Sequence, residues 1–195
     1  MGRPYDHSRD HEILVITLDA LAENDYEHMT LDAIALRAKR AKTTLYRRWP
    51  SKVDLVVAAV QAVGRPPEAD ALPDEGSLRD DLLAVIDSPW LGGPERRASI
   101  FAGLMGAARS SAQLADTVRT TVTEPYAQLY LSLLCRALEQ GRVAPAMRPK
   151  LPLLAQVIPA MSDHRLGVTR QVAGRAFYVA VVDDVLLPAL QHQNG

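Results

Sequence analysis

The sequence predicts an all-α protein: an amino-terminal three-helix head followed by a larger helical body, about nine helices in all. Three observations carry this. Apolar residues recur at three- and four-residue spacing almost throughout the chain. Residues that start and stop helices stand at the ends of those stretches. The 195 residues are 48% hydrophobic and 23% charged, the balance of a globular chain long enough to bury a core.

Leu14, Thr17, Leu18 and Leu21, with Ile13 and Ala20 beside them, form the stripe of the first helix. Ser8 is placed to cap it, Asp10 and Glu12 fall in its first turn, and Asn24 and Asp25 end it. A short second helix follows Thr30 as N-cap, with Ile34, Ala35 and Ala38 as its apolar face. A third runs from about Lys42 to Trp49. Pro50 stops it, because the residue before proline is pushed out of the helical region. Ser51 and Asp54 make a capping box for a fourth helix, which carries Val53, Val56, Val57, Val60 and Val63 and ends near Gly64.

Residues 64–77, acidic and proline-containing, read as a linker between a head at 1–63 and a body at 78–195. The body begins with a helix over Leu78–Asp87 and a turn over Trp90–Pro94. A long helix over Glu95–Arg109 and a short one near Ala112–Val122 follow. The strongest amphipathic pattern is Tyr126, Leu129, Tyr130, Leu133, Leu134, Ala137 and Leu138, with Pro125 in its first turn and Gly141 at its end. The next helix, Pro149–Met161, is expected to kink at Pro159. The last, Thr169–Leu187, is apolar around most of its circumference and so is buried on more than one side, in a two-fold dimer interface or in the core of a monomer. Asp183 and Asp184 interrupt it, either solvated or at that interface.

The net charge is −1, yet Arg37, Lys39, Arg40, Lys42, Arg47, Arg48 and Lys52 form a run without a single acid, while Asp6, Asp10, Glu12, Asp19, Glu23, Asp25 and Glu27 precede it. Such clustering is the footprint of a phosphate-binding surface, or else a solvated charged face. Two short helices joined by a tight turn, with a basic and hydroxyl-rich face on the second, have the helix-turn-helix layout at about 31–50.

Other classes find little support. No apolar run approaches the roughly 18 residues of a membrane span. Met1–Asp10 has no apolar secretory core, and Cys135 alone forms no intrachain disulfide, so a cytoplasmic protein is expected. The sequence holds no Gly-rich phosphate loop and no nucleophile motif, and it calls for no metal or cofactor; a non-enzyme is expected. His7 and His11 lack a third ligand and read as an exposed pair, and Cys135, among leucines, as a buried thiol.

Thr30-Leu31-Asp32-Ala33-Ile34-Ala35 and Thr44-Leu45-Tyr46-Arg47-Arg48-Trp49-Pro50-Ser51-Lys52 closely resemble the recognition segment of the TetR family of regulators, over roughly residues 9–63. The remainder is similar in its helical character and length. The resemblance implies a homodimeric transcriptional regulator that binds double-stranded operator DNA. It also implies a repressor released by a small-molecule effector, with dimerisation through the last two helices, here about 149–190. Lys42, Thr43 and Arg48 are then expected at base edges. Thr44, Tyr46 and Lys52 are expected at phosphates, Thr30 at a phosphate beside the second helix, and Arg47 in either set. Lys52 opens the fourth helix, whose free backbone N–H groups would share its anion site. Leu45 and Trp49 are expected to pack against the first and fourth helices.

Phe101, Met105, Tyr126, Tyr130 and Tyr178 are candidate walls of an effector cavity, with plain core as the alternative. A regulator without an effector, and a helical adaptor or enzyme that does not bind DNA, are the rival functions. The turn departs from the family pattern: Lys39-Arg40-Ala41 stands where a glycine, a small apolar residue and a capping serine are usual. Lys39 is expected in the left-handed region, and Ala41 forgoes a cap worth about 0.5–2 kcal/mol. Arg3 either reaches a flanking minor groove or belongs to a disordered tail.

Overall fold

The computed structural model describes residues 7–24, 26–68, 71, 74–169, 171 and 173–191, the side chains of 7–9 aside. Arg3, Asp25, the caps and charges of the first six residues and the Ser8 side chain lie outside the described residues. The contacts divide the chain into two units, Met1–Arg65 with Ser99–Val122, and Pro66–Ala98 with Thr123–Gly195. The chain thus leaves the first unit at Arg65, within the expected linker, and passes through it again as part of the body.

In the first unit, α1 (His7–Glu23) packs on α2 (Leu31–Arg37) and α4 (Lys52–Val63), and α2 packs on α3 (Lys42–Arg48). The helix begins at His7, so Ser8 lies inside it rather than capping it. The expected stripe is the core: Ile13, Leu14, Leu18 and Leu21 are buried with Ile34, Leu45, Leu55, Val56 and Val60. Thr17 joins them because its hydroxyl donates to the Ile13 carbonyl at 2.8 Å, which satisfies the one polar atom on that face. Helix α7 (Ala112–Val118) packs on α4.

Helix α6 (Pro94–Ser110) runs from the second unit into the first. At Gly103 it approaches α1 so closely that a Cβ there would overlap the Leu21 carbonyl oxygen and lie 3.0 Å from its carbon.

In the second unit, α5 (Leu78–Asp87), α8 (Glu124–Glu139), α9 (Leu151–Leu154), α10 (Val157–Asp163), α11 (Arg175–Ala180) and α12 (Leu187–Gln191) surround a core of Leu82, Ile86, Leu129, Tyr130, Leu133, Leu134, Ile158 and Val182. Several expected boundaries move, and proline accounts for most of the changes. The break expected before Tyr126 is a widened π turn, Arg119–Thr123, that joins α7 to α8. Pro125 has no N–H for the Thr121 carbonyl and its ring crowds that turn. A second π turn, Val181–Leu186, stands before Pro188 for the same reason. The expected helix over 149–161 is interrupted at Ala155–Gln156, where Pro159 would crowd the Ala155 carbonyl.

The last helical stretch starts at Arg175 instead of Thr169. A π turn at His164–Val168 extends α10, and Gly174 stands immediately before α11. Asp81, nearly fully buried, accepts from Arg142 at 2.9 Å and from the Glu75 backbone N–H at 2.8 Å, and lies 3.3 Å from Arg136. Among the described residues there is no strand, and no helix is long and apolar enough to cross a membrane.

Candidate nucleic-acid interface

The helix-turn-helix is built by local chemistry. Thr30 adopts an extended conformation and its hydroxyl accepts from the Ala33 N–H at 3.1 Å, so α2 starts there. Helix α2 ends at Ala38, and Lys39 takes φ 53°, the left-handed conformation expected of it. Ala41 supplies no side-chain cap to α3, also as expected. Leu45 anchors α3 from below with no exposed surface, and Trp49 is buried at its end. Ser51 and Asp54 form the full capping box of α4.

With about 100° of rotation per residue, Lys42, Tyr46, Thr43 and Arg47 span an arc of about 140°, which starts about 60° from the buried Leu45 at Lys42 and runs across the far side at Thr43 and Arg47. All four are exposed, while Thr44 and Arg48 are half-buried between its Arg47 edge and Leu45. Tyr46, at 47% exposure, is one of the large apolar side chains left open to solvent among the described residues.

Most of the basic run is answered from within the head. Arg37 bonds Glu23 at 2.6 Å and lies 3.8 Å from Asp19. Arg40 lies 3.7 Å from Glu12, and Lys42 bonds Asp32 at 2.5 Å. The bond to Asp32 raises the Lys42 pKa above its ordinary value, and the bond to Glu23 raises that of Arg37. Arg48 pairs with Asp10, and both side chains are largely withdrawn from solvent. Lys52 donates to the Tyr26 carbonyl at 2.8 Å and the Glu27 carbonyl at 3.3 Å, with its ammonium 4.2 Å from the centre of the Tyr26 ring. Among the described residues, Lys39 and Arg47 make no ion pair.

The eight residues expected at DNA therefore fall into two groups. Thr30, Lys42, Thr43, Tyr46 and Arg47 are exposed; Thr44, Arg48 and Lys52 are half-buried, the last two with their charges directed to partners inside the head. Sequence reading missed Asp10 as the partner of Arg48 and Asp32 as that of Lys42. For the partners of Arg37 and Arg40 a signal was available: Glu12, Asp19 and Glu23 stand seven and four residues apart and so share a face of α1.

The five candidate effector residues are divided between the units. Phe101 and Met105 fall in the first and Tyr126, Tyr130 and Tyr178 in the second. The three tyrosines are buried. Tyr130 donates to the Tyr126 hydroxyl at 3.0 Å, and the Tyr126 ring stands 5.8 Å from that of Trp90. Burial pushes Tyr126 up to about 12 and raises Tyr130 and Tyr178 as well.

Arg97 is buried in the same unit. It donates to the Ser88 and Trp90 carbonyls, each at 3.3 Å, and to the Ile86 carbonyl, and so caps the end of α5. Two open cavities lie elsewhere in this unit. One of about 510 Å³ is lined by Ser77, Arg79, Arg142, Leu187 and Leu190 among others. The other, of about 460 Å³, lies between α8 and α9–α10 and includes Glu124, Gln128, Gln156 and Asp163. None of the five candidates lines either cavity. Cys135 is half-buried on α8.

Comparison with known proteins agrees with this architecture. Residues 13–59 match the family described as bacterial regulatory proteins, tetR family, and residues 72–185 match the tetracyclin repressor-like C-terminal domain. An uncharacterized HTH-type transcriptional regulator of Mycobacterium tuberculosis is 32% identical over 99% of this chain and 95% of its own length. A DNA-binding transcriptional repressor TetR of Mycobacteroides abscessus is 29% identical, covering 92% of this chain and 93% of its own.

Among solved structures, a TetR family transcription regulator superposes with a TM-score of 0.60 at 26% identity, covering 92% of this chain and 97% of that one. A tetR-family transcriptional regulator from Streptomyces coelicolor has a TM-score of 0.64 at 20% identity, covering 94% and 80%, and shares the fold. The chain belongs to the TetR family of DNA-binding transcriptional regulators.

Proposed function

We propose that this regulator is a homodimeric repressor that reads operator DNA through the outer face of α3 and releases it when a small molecule binds its body. The observation that carries the DNA reading is the exposed arc of Lys42, Thr43, Tyr46 and Arg47 over a fully buried Leu45. An arc of that width suits a helix laid in the major groove. Lys42 and Thr43 then meet base edges, and Tyr46, Thr44 and Thr30 meet phosphates. Arg47, exposed and without an ion pair among the described residues, supplies a mobile positive charge. Arg48 and Lys52 act from behind. Arg48 ties the end of α3 to α1 through Asp10, and Lys52 holds the Tyr26–Glu27 turn.

Dimerisation is supported by apolar side chains left in solvent on the last helical stretches: Leu153 at 70% exposure, Val168 at 71%, Val185 at 40%, and Met161. The named repressor among the relatives supports the sign of regulation. Effector binding is supported by the two cavities, whose volumes lie in the range of small-molecule sites.

Selection of duplexes from a random pool, followed by gel shift across a salt series, tests the DNA reading. A sequence-selective complex that weakens as salt rises is expected. Equal retention of all duplexes would overturn it. Sedimentation at micromolar concentration tests the assembly: a persistent monomer contradicts the dimer.

A further inference from the structure

We infer that Asp32 sets DNA specificity by holding Lys42 as part of a charge-neutral pair, a fixed donor for a guanine rather than a free cation for a phosphate. The inference rests on α3 being the DNA-reading helix, and it adds a positioning residue to that reading. Asp32 lies in the first turn of α2 and Lys42 opens α3, so their 2.5 Å bond spans the turn of the motif. Within that turn Ala41 does not cap α3, Lys39 adopts φ 53° where glycine is unstrained, and Arg40 is directed to Glu12 of α1 rather than across the turn. The pair is therefore the polar tie between the two helices at the start of α3.

Its geometry is one-sided. The second carboxylate oxygen of Asp32, Oδ1, is shielded and has no hydrogen-bond partner among the described residues, and Lys42 is the cation that answers the charge there. The Lys42 side chain stays 63% exposed. An ammonium has three donors, and Asp32 uses one. The remaining two match the N7 and O6 acceptors that guanine presents in the major groove.

Charge neutrality has a measurable consequence. A lysine that neutralises a phosphate releases counterions and steepens the salt dependence of binding by about 0.9 in log–log slope. A Lys42 already neutralised by Asp32 adds no such increment. If Lys42 left Asp32 for a phosphate, a carboxylate would be stranded at the DNA surface. Arg47 is the contrast, exposed on the same helix and without an ion pair among the described residues.

The test compares the wild-type protein, Asp32→Asn, and the double variant Asp32→Asn/Lys42→Gln. Each is titrated with salt against a duplex selected by the wild-type protein and against its single-base-pair variants. The double variant exchanges one neutral pair for another. Its slope is expected to match the wild type, while discrimination at one G·C pair, about 5- to 150-fold for a good bidentate contact, is lost.

Asp32→Asn alone frees a cation. With one such cation in each protomer of the dimer, the slope is expected to steepen by about 1.8, so that a fourfold rise in salt weakens it about 12-fold more than the wild type. A double variant whose slope falls by about 1.8, or which keeps full discrimination, overturns the inference. So does an Asp32→Asn slope equal to the wild type's. If the wild-type protein forms no selective complex, it is the DNA reading itself that fails.

Discussion

Two glycines on α6 should respond in opposite directions to the same substitution. In a helix interior, Gly→Ala normally stabilises by about 0.5–1 kcal/mol, because glycine loses more backbone freedom on folding. At Gly106 a Cβ would meet only the Arg109 guanidinium end, 3.9 Å away, so Gly106→Ala should gain that amount. At Gly103 the Cβ would overlap the Leu21 carbonyl oxygen, 3.0 Å from its carbon and 3.2 Å from the Leu21 Cβ.

Leu21 is itself almost fully buried and belongs to α1, whose backbone cannot yield as a flexible side chain can. Overpacking of this kind costs about 1–3 kcal/mol. Offset by the propensity gain, it leaves a net loss on the order of 1–2 kcal/mol. The propensity gain is common to both, so the two variants should differ by the overpacking cost of about 1–3 kcal/mol, or roughly 2–12 °C in melting temperature for a chain of this size. Urea unfolding at one fixed protein concentration reads the difference, since a dimer's stability depends on concentration. If Gly103→Ala proved as stable as Gly106→Ala, the close approach of α6 to α1 would be refuted.

Burial holds the Asp163 carboxyl at about 6, above the roughly 3.9 of an unfolded chain. Its stabilising contribution is thus present below about pH 4 and is lost as pH rises to about 6, because only the folded state keeps the proton over that window. Asp163→Asn should gain on the wild type between pH 4 and pH 7 in urea unfolding; a constant difference across that range would contradict the burial. Asp81→Asn should cost on the order of 3 kcal/mol, because it removes a buried charge that answers both Arg136 and Arg142. A lowered urea midpoint checks this, and an unchanged midpoint counts against the clamp.

What the sequence made legible was local. The Ser51–Asp54 box, the Thr30 cap, the left-handed Lys39 and the missing cap at Ala41 each depend on residues within four positions of one another, and each stands as read. The stripe of α1 was equally plain, because a period of 3.6 is enough to say which side is buried. The charge run was legible as a cluster but not as a surface. Asp10 lies 38 positions before Arg48 and Asp32 ten before Lys42, and nothing in spacing says which acid the fold brings to which base. The net charge of −1 thus has a physical reading: α1 carries acids that answer the inner side of the basic motif.

The body was less legible. A helical period survives a π turn, so the widenings at Arg119–Thr123 and Val181–Leu186 are visible in the sequence only through the prolines that follow them. Aromatic side chains marked the core of the second unit correctly, but a buried tyrosine and a cavity wall have the same sequence signature. The two cavities are lined instead by a mixture of leucines such as Leu131, Leu187 and Leu190 with polar and charged residues drawn from several helices, which no single periodic stretch marks.

Methylation interference on a duplex selected by the protein tests the central claim most directly. Guanine N7 lies in the major groove and adenine N3 in the minor groove, so the two modifications report which groove α3 reads. Methylation at N7 within two half-sites, related by two-fold symmetry and spaced by whole helical turns, should abolish binding. Binding that tolerates N7 methylation throughout the site would contradict the account.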